Sequence, residues 1–247
     1  MGDAYGSDLA YIHDTGHGDL ARAAAQTVIT ALRRAGREHG RVVDLGCGSG
    51  IFARALLDAG FDVTGFDLSE AMIATARRHA PRADLRVGSY LDADIPACVA
   101  VTAIGECFSY LFDEKVAGAG LDRLFERIHG ALEPRGLFVF DVAAPGRLRG
   151  ASPQRHWREG EDWAVLVEVD EDAPACRLTR SITTFRRTGG SWRRDHETHV
   201  LRLHARRELE SRVRAAGFRV RPIAAYGTLR FAPGHLGFCA RKPKIVA

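Results

Sequence analysis

The stretch that decides the fold is VVDLGCGSGIFARALLDAG, residues 42–60. Val42, Val43 and Leu45 form a short apolar run, which predicts a buried strand. Glycines at positions 46, 48 and 50 then predict a sharp loop that a ligand can approach closely, because glycine has no side chain and tolerates positive φ angles. The apolar residues resume at helical spacing from residue 51. Since the first N–H groups of a helix have no partner within it, they would face the loop, and the unit is predicted to bind a nucleotide.

Two carboxylates beside this loop indicate which kind of nucleotide would bind. A dinucleotide fingerprint uses the pattern G-x-G-x-x-G to hold a pyrophosphate. Asp44 lies two residues before the loop, where its charge would repel a pyrophosphate but suit a cationic ligand. Asp67 ends the next apolar run and is placed to accept both hydroxyls of a ribose.

The ordered motifs DLGCGSG (residues 44–50) and GFDLS (residues 65–69) resemble those of the class I S-adenosylmethionine (AdoMet)-dependent methyltransferases. The resemblance covers residues 11–143 and 205–241. It implies that Asp44, Gly46 and Gly48 contact the methionine part of AdoMet, and that Asp67 holds its ribose. It also implies that the product is S-adenosylhomocysteine.

Further residues are expected to complete the cofactor site. This family usually binds the adenine edge after the third strand, often with an Asp where this chain has Ser89, so backbone groups of Ser89 and Tyr90 are expected to contribute more. Met72 either lines the adenine pocket or fills the core. The predicted cofactor-binding residues are Tyr11, Asp44, Gly46, Cys47, Gly48, Gly50, Asp67, Leu68, Met72, Ser89, Tyr90 and Gly105.

The order of elements predicts an α/β fold with a Rossmann-like, doubly wound sheet of seven strands. The resemblance implies that the last strand is antiparallel. Residues 145–204 change rhythm, and three long alternating runs with a turn at Gly189–Gly190 predict a small antiparallel β insert. We therefore expect an AdoMet-binding domain at residues 19–144 and 205–247. The insert is expected to cover the substrate or form a dimer surface; a purely stabilising role is the alternative.

Residues 1–18 are expected to form an N-terminal lid segment, because the related enzymes fold this segment over the cofactor. The run from Tyr11 to Gly16, followed by a helix, looks like the start of N-methyltransferases that act on amino sugars and similar small amines. A flexible arm is the alternative.

Methyl transfer from a sulfonium is an in-line displacement that depends on orientation and exclusion of water. An amine acceptor arrives protonated and must lose a proton. His13 on the lid segment and Glu106 after the fourth strand are the candidate catalytic residues. His13 titrates near neutrality and would accept the proton, and Glu106 would orient the amine by a charge-assisted hydrogen bond. Glu106 capping the next turn is the alternative. Tyr5, Tyr90, Trp157 and Tyr226 are secondary candidates for packing against the substrate.

Composition and charge restrict the kinds of partner that the protein is expected to bind. The net charge is only +4 and the arginines are scattered in pairs, which is typical of a solvated surface rather than a nucleic-acid site. No signal peptide or long apolar run is evident. Five cysteines without a C-x-x-C pair favour free thiols in a reducing compartment. We therefore expect a soluble, cytoplasmic protein, with a homodimer possible.

No metal is predicted. Asp141 could begin a magnesium site of the catechol methyltransferase type, but no Asp-Asn pair follows it. His196 and His199 are three residues apart on a predicted strand and would face opposite sides, unlike the helical H-E-x-x-H zinc site.

The sequence thus favours methyl transfer to a small-molecule acceptor, with an amine nitrogen as the first hypothesis. O-methylation of a hydroxyl, methylation of RNA, and a non-catalytic AdoMet-binding regulatory protein stay open.

Overall fold

The computed structural model describes residues 5–112, 120–148, 150 and 152–244. In chain order its helices are α1 (Ser7–Gly16), α2 (Asp19–Arg34), α3 (Ile51–Asp58), α4 (Glu70–His79), α5 (Gly120–Ala131) and α6 (Arg206–Ala215). Its strands are β1 (Arg41–Leu45), β2 (Asp62–Asp67), β3 (Asp84–Val87), β4 (Cys98–Ala103), β5 (Leu132–Ala143), β6 (Gln154–Glu159), β7 (Trp163–Asp172), β8 (Arg177–Thr188), β9 (Ser191–Arg202), β10 (Arg219–Ile223), β11 (Ala225–Tyr226), β12 (Leu229–Arg230) and β13 (His235–Arg241).

The main sheet has seven strands in the order β10-β13-β5-β4-β1-β2-β3. β1 is parallel to both β2 and β4, while β13 is antiparallel to β5 and β10. The predicted doubly wound sheet with an antiparallel last strand is therefore confirmed. One face of the sheet packs against α2 and α3, and the other packs against α5 and α6.

The strand order reverses between β1 and β4, which brings their carboxyl ends to one edge of the sheet. The loop after β1 starts with Gly46, and both Gly46 and Cys47 donate backbone hydrogen bonds to Phe66 O, at 2.8 and 2.9 Å. Gly46, Gly48 and Gly50 have φ angles of 78°, 53° and 83°, a region that side chains other than glycine disfavour. Glycine at these positions is therefore a backbone requirement.

The β insert forms a separate antiparallel sheet in the order β6-β7-β8-β9. The predicted turn is confirmed, since Thr188 pairs with Ser191 across Gly189–Gly190. The sequence predicted three strands and missed β6, because five of its six residues are exposed and it lacks an apolar alternation. The domain boundaries stay predictions.

Residues 7–16 form a helix that packs on the insert. Asp8 is buried and accepts hydrogen bonds from Arg193 Nε, at 2.5 Å, and from Arg186 Nη1, at 3.4 Å. The Arg186 guanidinium lies 3.7 Å from the centre of the Tyr11 ring, and Tyr11 OH donates to Asp162 Oδ2 at 3.0 Å. Because these contacts come from β8, β9 and the turn before β7, α1 and the insert form one packed unit.

The beginning of α1 touches both the insert and the main domain. The Glu197 carboxylate of β9 accepts hydrogen bonds from the N–H groups of Tyr5 and Gly6, at 3.0 and 2.9 Å. On the other side, Ser69 Oγ donates to Tyr5 O at 2.7 Å. Ser69 also caps α4, as its position predicts, by accepting a hydrogen bond from Met72 N at 3.1 Å. Tyr5 therefore lies where the β insert and the main domain meet.

We expect Asp8→Ala to accelerate amide hydrogen exchange in α1 roughly tenfold, because it leaves the arginines of β8 and β9 without their buried partner. Exchange followed by mass spectrometry on a peptide covering residues 5–16 measures this. Asp19→Ala is the matched control, since the Asp19 side chain is 82% exposed and pairs with Arg22 on the surface. Unchanged exchange in Asp8→Ala would mean that the ion pairs do not hold the helix.

Candidate active site

A cavity at the carboxyl edge of the main sheet, which we call the loop cavity, opens to solvent. Its wall is formed by the glycine loop, the ends of β2 and β4, and the junction of α1 and α2. Ten predicted cofactor residues line it: Asp44, Gly46, Cys47, Gly48, Gly50, Asp67, Leu68, Met72, Tyr90 and Gly105.

Asp67 is fixed by backbone hydrogen bonds. Its Oδ2 accepts from Gly48 N and its Oδ1 accepts from Ser69 N, both at 2.9 Å. Burial raises the pKa of Asp67, although these two N–H groups act in the opposite direction. Each carboxylate oxygen has a second lone pair, so the side chain can still accept hydrogen bonds from two neighbouring hydroxyls of a ligand.

Asp44 is buried at the end of β1 and lines the same cavity. Its Oδ1 accepts a hydrogen bond from Thr102 Oγ1 at 2.7 Å. Burial raises the pKa of Asp44 to about 7, with a smaller contribution from the negative charge of Asp67. A buried carboxylate of this kind is stabilised by a cationic ligand group, and an ammonium would meet that need.

The glycines leave room for a ligand in two different ways. A Cβ atom at Gly48 or Gly105 would meet no atom within 4 Å, and both residues line the loop cavity at positive φ. A side chain there would therefore take space from a ligand. A Cβ atom at Gly46 would lie 2.5 Å from Cys107 Sγ, so glycine at that position is required by packing.

A second cavity, which we call the insert cavity, lies between α1 and the β insert. It shares three wall residues with the loop cavity: Tyr5, His13 and His17. The rest of its wall is mostly apolar, with Leu9 and Ile12 from α1 and Val165, Val167, Val169 and Ile182 from the insert. The two cavities are therefore neighbours, with residues of the lid segment in the wall of both.

His13 lies on this shared wall, where its placement changes its expected chemistry. Burial, with a contribution from the neighbouring His17, lowers the pKa of His13 to about 4. Its Nδ1 is buried without a hydrogen-bond partner among the described residues. The expectation that His13 titrates near neutrality is thus corrected. A neutral His13 can accept a hydrogen bond from a ligand, but it is a weak base.

Glu106 follows β4 at a φ of 64° and is 4% exposed. Arg180 Nη2 donates to its Oε2 at 2.6 Å, and Arg147 Nη2 lies 2.9 Å from its Oε1. Burial alone would raise the pKa of Glu106, but Arg180 and Arg147 outweigh it and the pKa lies below its ordinary value. Glu106 is absent from the described walls of both cavities. This placement argues against the prediction that Glu106 orients an amine.

Comparison with known proteins gives the family. A model described as a methyltransferase domain matches residues 17–223 of the chain. The chain belongs to the methyltransferase domain family. The chain is 25% identical over 197 residues to a putative methyltransferase, YqeM, of Bacillus subtilis, covering 76% of this chain and 77% of that protein.

Solved structures of methyltransferases share the fold. An AdoMet-dependent methyltransferase from Clostridium acetobutylicum superposes with a TM-score of 0.78 at 16% identity, over 95% of this chain and 98% of that one. The sugar N-methyltransferase KedS8 from Streptoalloteichus superposes with a TM-score of 0.77 at 20% identity, over 99% of this chain and 96% of that one. The protein is an AdoMet-dependent methyltransferase, and the predicted family, cofactor and enzyme class are confirmed.

Some residues that were predicted to contact the cofactor or the substrate do not line the loop cavity. Tyr11 faces the insert, as described above, and Ser89 accepts a hydrogen bond from Leu91 N at 3.2 Å without lining the loop cavity. Trp157 is 63% exposed, and Tyr226 is buried with its hydroxyl donating to Asp141 Oδ2 at 2.7 Å. Neither aromatic residue lines a described cavity wall, so their expected contact with substrate is not supported.

Sequence reasoning missed Arg147, Arg180 and Tyr110 as candidate site residues. Arg180 lies between Leu178 and Ile182 on β8, and alternation along a strand puts all three on one face. An arginine between two apolar residues of one strand face was a signal that the sequence did contain. Arg147 follows β5 in a segment without periodicity, and no signal in the sequence identified it.

Within the described part of the chain, no group of three or more His, Cys, Asp or Glu side chains is arranged to hold a metal ion. The absence of a metal stays a prediction. Among the described residues, none of the helices is long and apolar enough to cross a membrane.

We expect Asp67→Ala to weaken S-adenosylhomocysteine binding about 10- to 100-fold, since hydrogen bonds to a charged group contribute about 1.5–3 kcal/mol. Isothermal titration calorimetry measures the change. Asp62→Ala, at the exposed first residue of the same strand, is the matched control. Equal affinity in Asp67→Ala and wild type would move the ribose away from this carboxylate.

We expect S-adenosylhomocysteine affinity to depend on the ionisation of Asp44. An ammonium bound beside Asp44 lowers the pKa of that carboxyl from about 7, so binding releases a proton when the pH is below 7. Affinity should therefore fall as the pH drops from 7.5 to 5.5, by up to about tenfold per pH unit. Asp44→Asn should bind weakly at every pH and show no such slope.

The same variant should stabilise the free protein in alkaline solution. Because the folded pKa of Asp44 is raised, its ionisation costs folding free energy, and this cost grows as the pH rises from about 4 to about 7. Asp44→Asn should thus raise the melting temperature at pH 8 and change it little at pH 4, where Asp44 is already protonated. A lowered melting temperature at pH 8 would contradict the assignment.

Proposed function

We propose that this methyltransferase transfers a methyl group from AdoMet to an amine nitrogen of a small molecule bound in the insert cavity. Bound AdoMet would supply an electrophilic methyl group on its sulfonium. The lone pair of the amine nitrogen would form the new N–C bond as the S–C bond breaks, S-adenosylhomocysteine would be the leaving group, and the methylated ammonium would lose its proton to solvent. On this proposal, AdoMet occupies the loop cavity, with its ammonium near Asp44 and its ribose on Asp67.

The shared wall of the two cavities supports this placement. A donor in one cavity and an acceptor in the other can meet only where the cavities adjoin, at Tyr5, His13 and His17. Because α1 and the insert close over this region, the chain also limits the access of water to the reacting atoms. The insert then acts as a substrate cover.

We choose a nitrogen rather than an alcohol oxygen as the methyl acceptor because the described wall of the insert cavity contains no strong base. Among the described residues of the insert cavity wall, the ionisable groups are three histidines, two arginines and one tyrosine. Burial lowers the pKa of His13 and His17, and it raises that of Tyr5. The more exposed His156 also has a lowered pKa, because of partial desolvation and the charges of Arg180 and Arg147. An alcohol needs a base to become a good nucleophile, whereas a neutral amine already has a reactive lone pair.

The same surroundings favour the neutral form of an amine. Burial and the positive charges of Arg147 and Arg180 disfavour an ammonium in this cavity, as they do for the imidazolium of His156. His13 then has a positioning role, because its unpartnered Nδ1 can accept a hydrogen bond from the amine N–H and so direct the lone pair.

The comparison with KedS8 agrees with this choice, since that protein is a sugar N-methyltransferase and superposes over nearly the whole chain. The other hypotheses have distinct outcomes. Transfer to RNA would show steep salt dependence. A regulatory protein would bind AdoMet with no transfer to any acceptor, although the insert cavity provides room for one.

The proposal predicts that primary amines accept label from methyl-labelled AdoMet while alcohols of the same carbon skeleton do not. With each amine, kcat/KM should rise with pH until the amine's own solution pKa, because only the neutral amine binds and reacts. Mass spectrometry of the product identifies the methylated atom. A preference for alcohols, or a pH profile that is the same for amines of different pKa, would overturn the proposal.

We expect His13→Phe to lower kcat/KM for the amine roughly tenfold, the value of one hydrogen bond of about 1.4 kcal/mol, with S-adenosylhomocysteine affinity unchanged. His39→Phe is the matched control, because His39 is exposed and lines neither cavity wall. His13→Gln should recover part of the activity. Full activity in His13→Phe would exclude the positioning role.

A further inference from the structure

Two arginines lie on the wall of the insert cavity, in an otherwise mostly apolar lining. Arg147 follows β5 and Arg180 comes from β8, and their side chains are only 21% and 16% exposed. Burying a guanidinium is costly unless its charge and its hydrogen bonds are satisfied. The contacts of this pair therefore indicate what the cavity is suited to bind.

The described contacts do not balance the charge of the pair. Glu106 is the carboxylate that both guanidinium groups touch, so the cluster of three side chains keeps a net charge of +1. The described wall of the insert cavity contains no Asp or Glu. The excess positive charge acts locally. Arg180 and Arg147 add to partial desolvation in lowering the pKa of His156, a largely exposed residue of β6 on the same cavity wall.

Both arginines also have N–H donors that none of their described contacts uses. Arg180 donates through Nη2 to Glu106 and through Nη1 to Tyr110 OH, at 3.1 Å. Arg147 donates through Nη1 to Gly234 O at 3.4 Å, besides its ion pair with Glu106. A guanidinium carries five N–H donors, so each arginine uses fewer than half of them within the described part of the chain. Carboxylate and phosphate oxygens match the remaining fork geometry.

We propose that the methyl acceptor carries an anionic group, a carboxylate or a phosphate, that binds Arg147 and Arg180. This rests on the proposed function, in which the insert cavity holds the acceptor. Tyr110 connects the arginines to the shared wall. Its OH accepts a hydrogen bond from Arg180 and lies 2.9 Å from the OH of Tyr5, which belongs to that wall. The anionic group is therefore placed close to the shared wall. The acceptor is then a compact amine whose nitrogen reaches the lid segment while its anionic group is held at the insert.

This assignment gives Glu106 a different role from the one that its position in the sequence suggested. Glu106 holds the two arginines in place and offsets one of their charges, so it acts as a positioning residue. Removing its charge should therefore strengthen anion binding, whereas removing an arginine should weaken it. The opposite signs of these two effects separate a built anion site from general damage to the fold.

The experiment uses the full chain saturated with S-adenosylhomocysteine, with inorganic phosphate and acetate as probes at constant ionic strength. Titration calorimetry in the wild type should show saturable binding of at least one probe, and the tighter probe identifies phosphate or carboxylate as the source. Arg147→Gln should weaken that binding at least fivefold, and Glu106→Gln should tighten it at least twofold. Arg155→Gln, on a side chain of the insert that is 79% exposed, should leave it unchanged.

Several outcomes would overturn the inference. These are no saturable binding of either probe, weaker binding in Glu106→Gln, or an equal loss in Arg155→Gln and Arg147→Gln. If Arg147→Gln has a lowered melting temperature, Arg147→Lys tests the same point. This variant keeps the positive charge but removes the planar guanidinium. It should weaken binding less than Arg147→Gln does. No acceptor is present in these titrations, so their result does not depend on whether nitrogen or oxygen is methylated.

Discussion

The buried carboxylate of Asp141 is the interaction on which the arrangement of both cavities depends. It lies fully buried near the end of β5 and accepts hydrogen bonds from the backbone N–H groups of Gly105, at 3.1 Å, and Glu106, at 2.7 Å. Tyr226 OH, at 2.7 Å, and His235 Nε2, at 2.9 Å, complete its shell. With this many partners a buried charge is tolerated, and the chain leaving β4 is fixed in a positive-φ turn.

That turn connects the two parts of the proposed chemistry. Gly105 lies on its loop-cavity side, where a side chain would intrude, while Glu106 lies beside the arginines of the insert cavity. The position of one backbone turn therefore affects both the room in the loop cavity and the charge beside the insert cavity. On the proposed function, these are the sites of the methyl donor and of the acceptor.

The fold and the donor half of the site were readable from the sequence because both depend on local patterns. Glycine spacing predicts the loop after β1, and the position of Asp67 at the end of a strand predicts its place in the cavity. The acceptor half was not readable, because it is assembled from distant segments: Arg147, Arg180 and Glu106 are brought together only by the packing of the insert. Burial also overturned one expectation, because it lowers the pKa of His13 to about 4. The sequence had suggested titration near neutrality.

The interlocking of α1 with the insert has a consequence for engineering and for evolution. Asp8 on α1 and its arginine partners on β8 and β9 lie 178 or more positions apart in the chain, yet they form one surface. The insert of this chain, transplanted into another methyltransferase without its first helix, would carry arginines that lack their buried partner Asp8. If the insert binds the acceptor as proposed, a change of acceptor preference requires exchanging these two distant segments together, while the glycine loop can be kept.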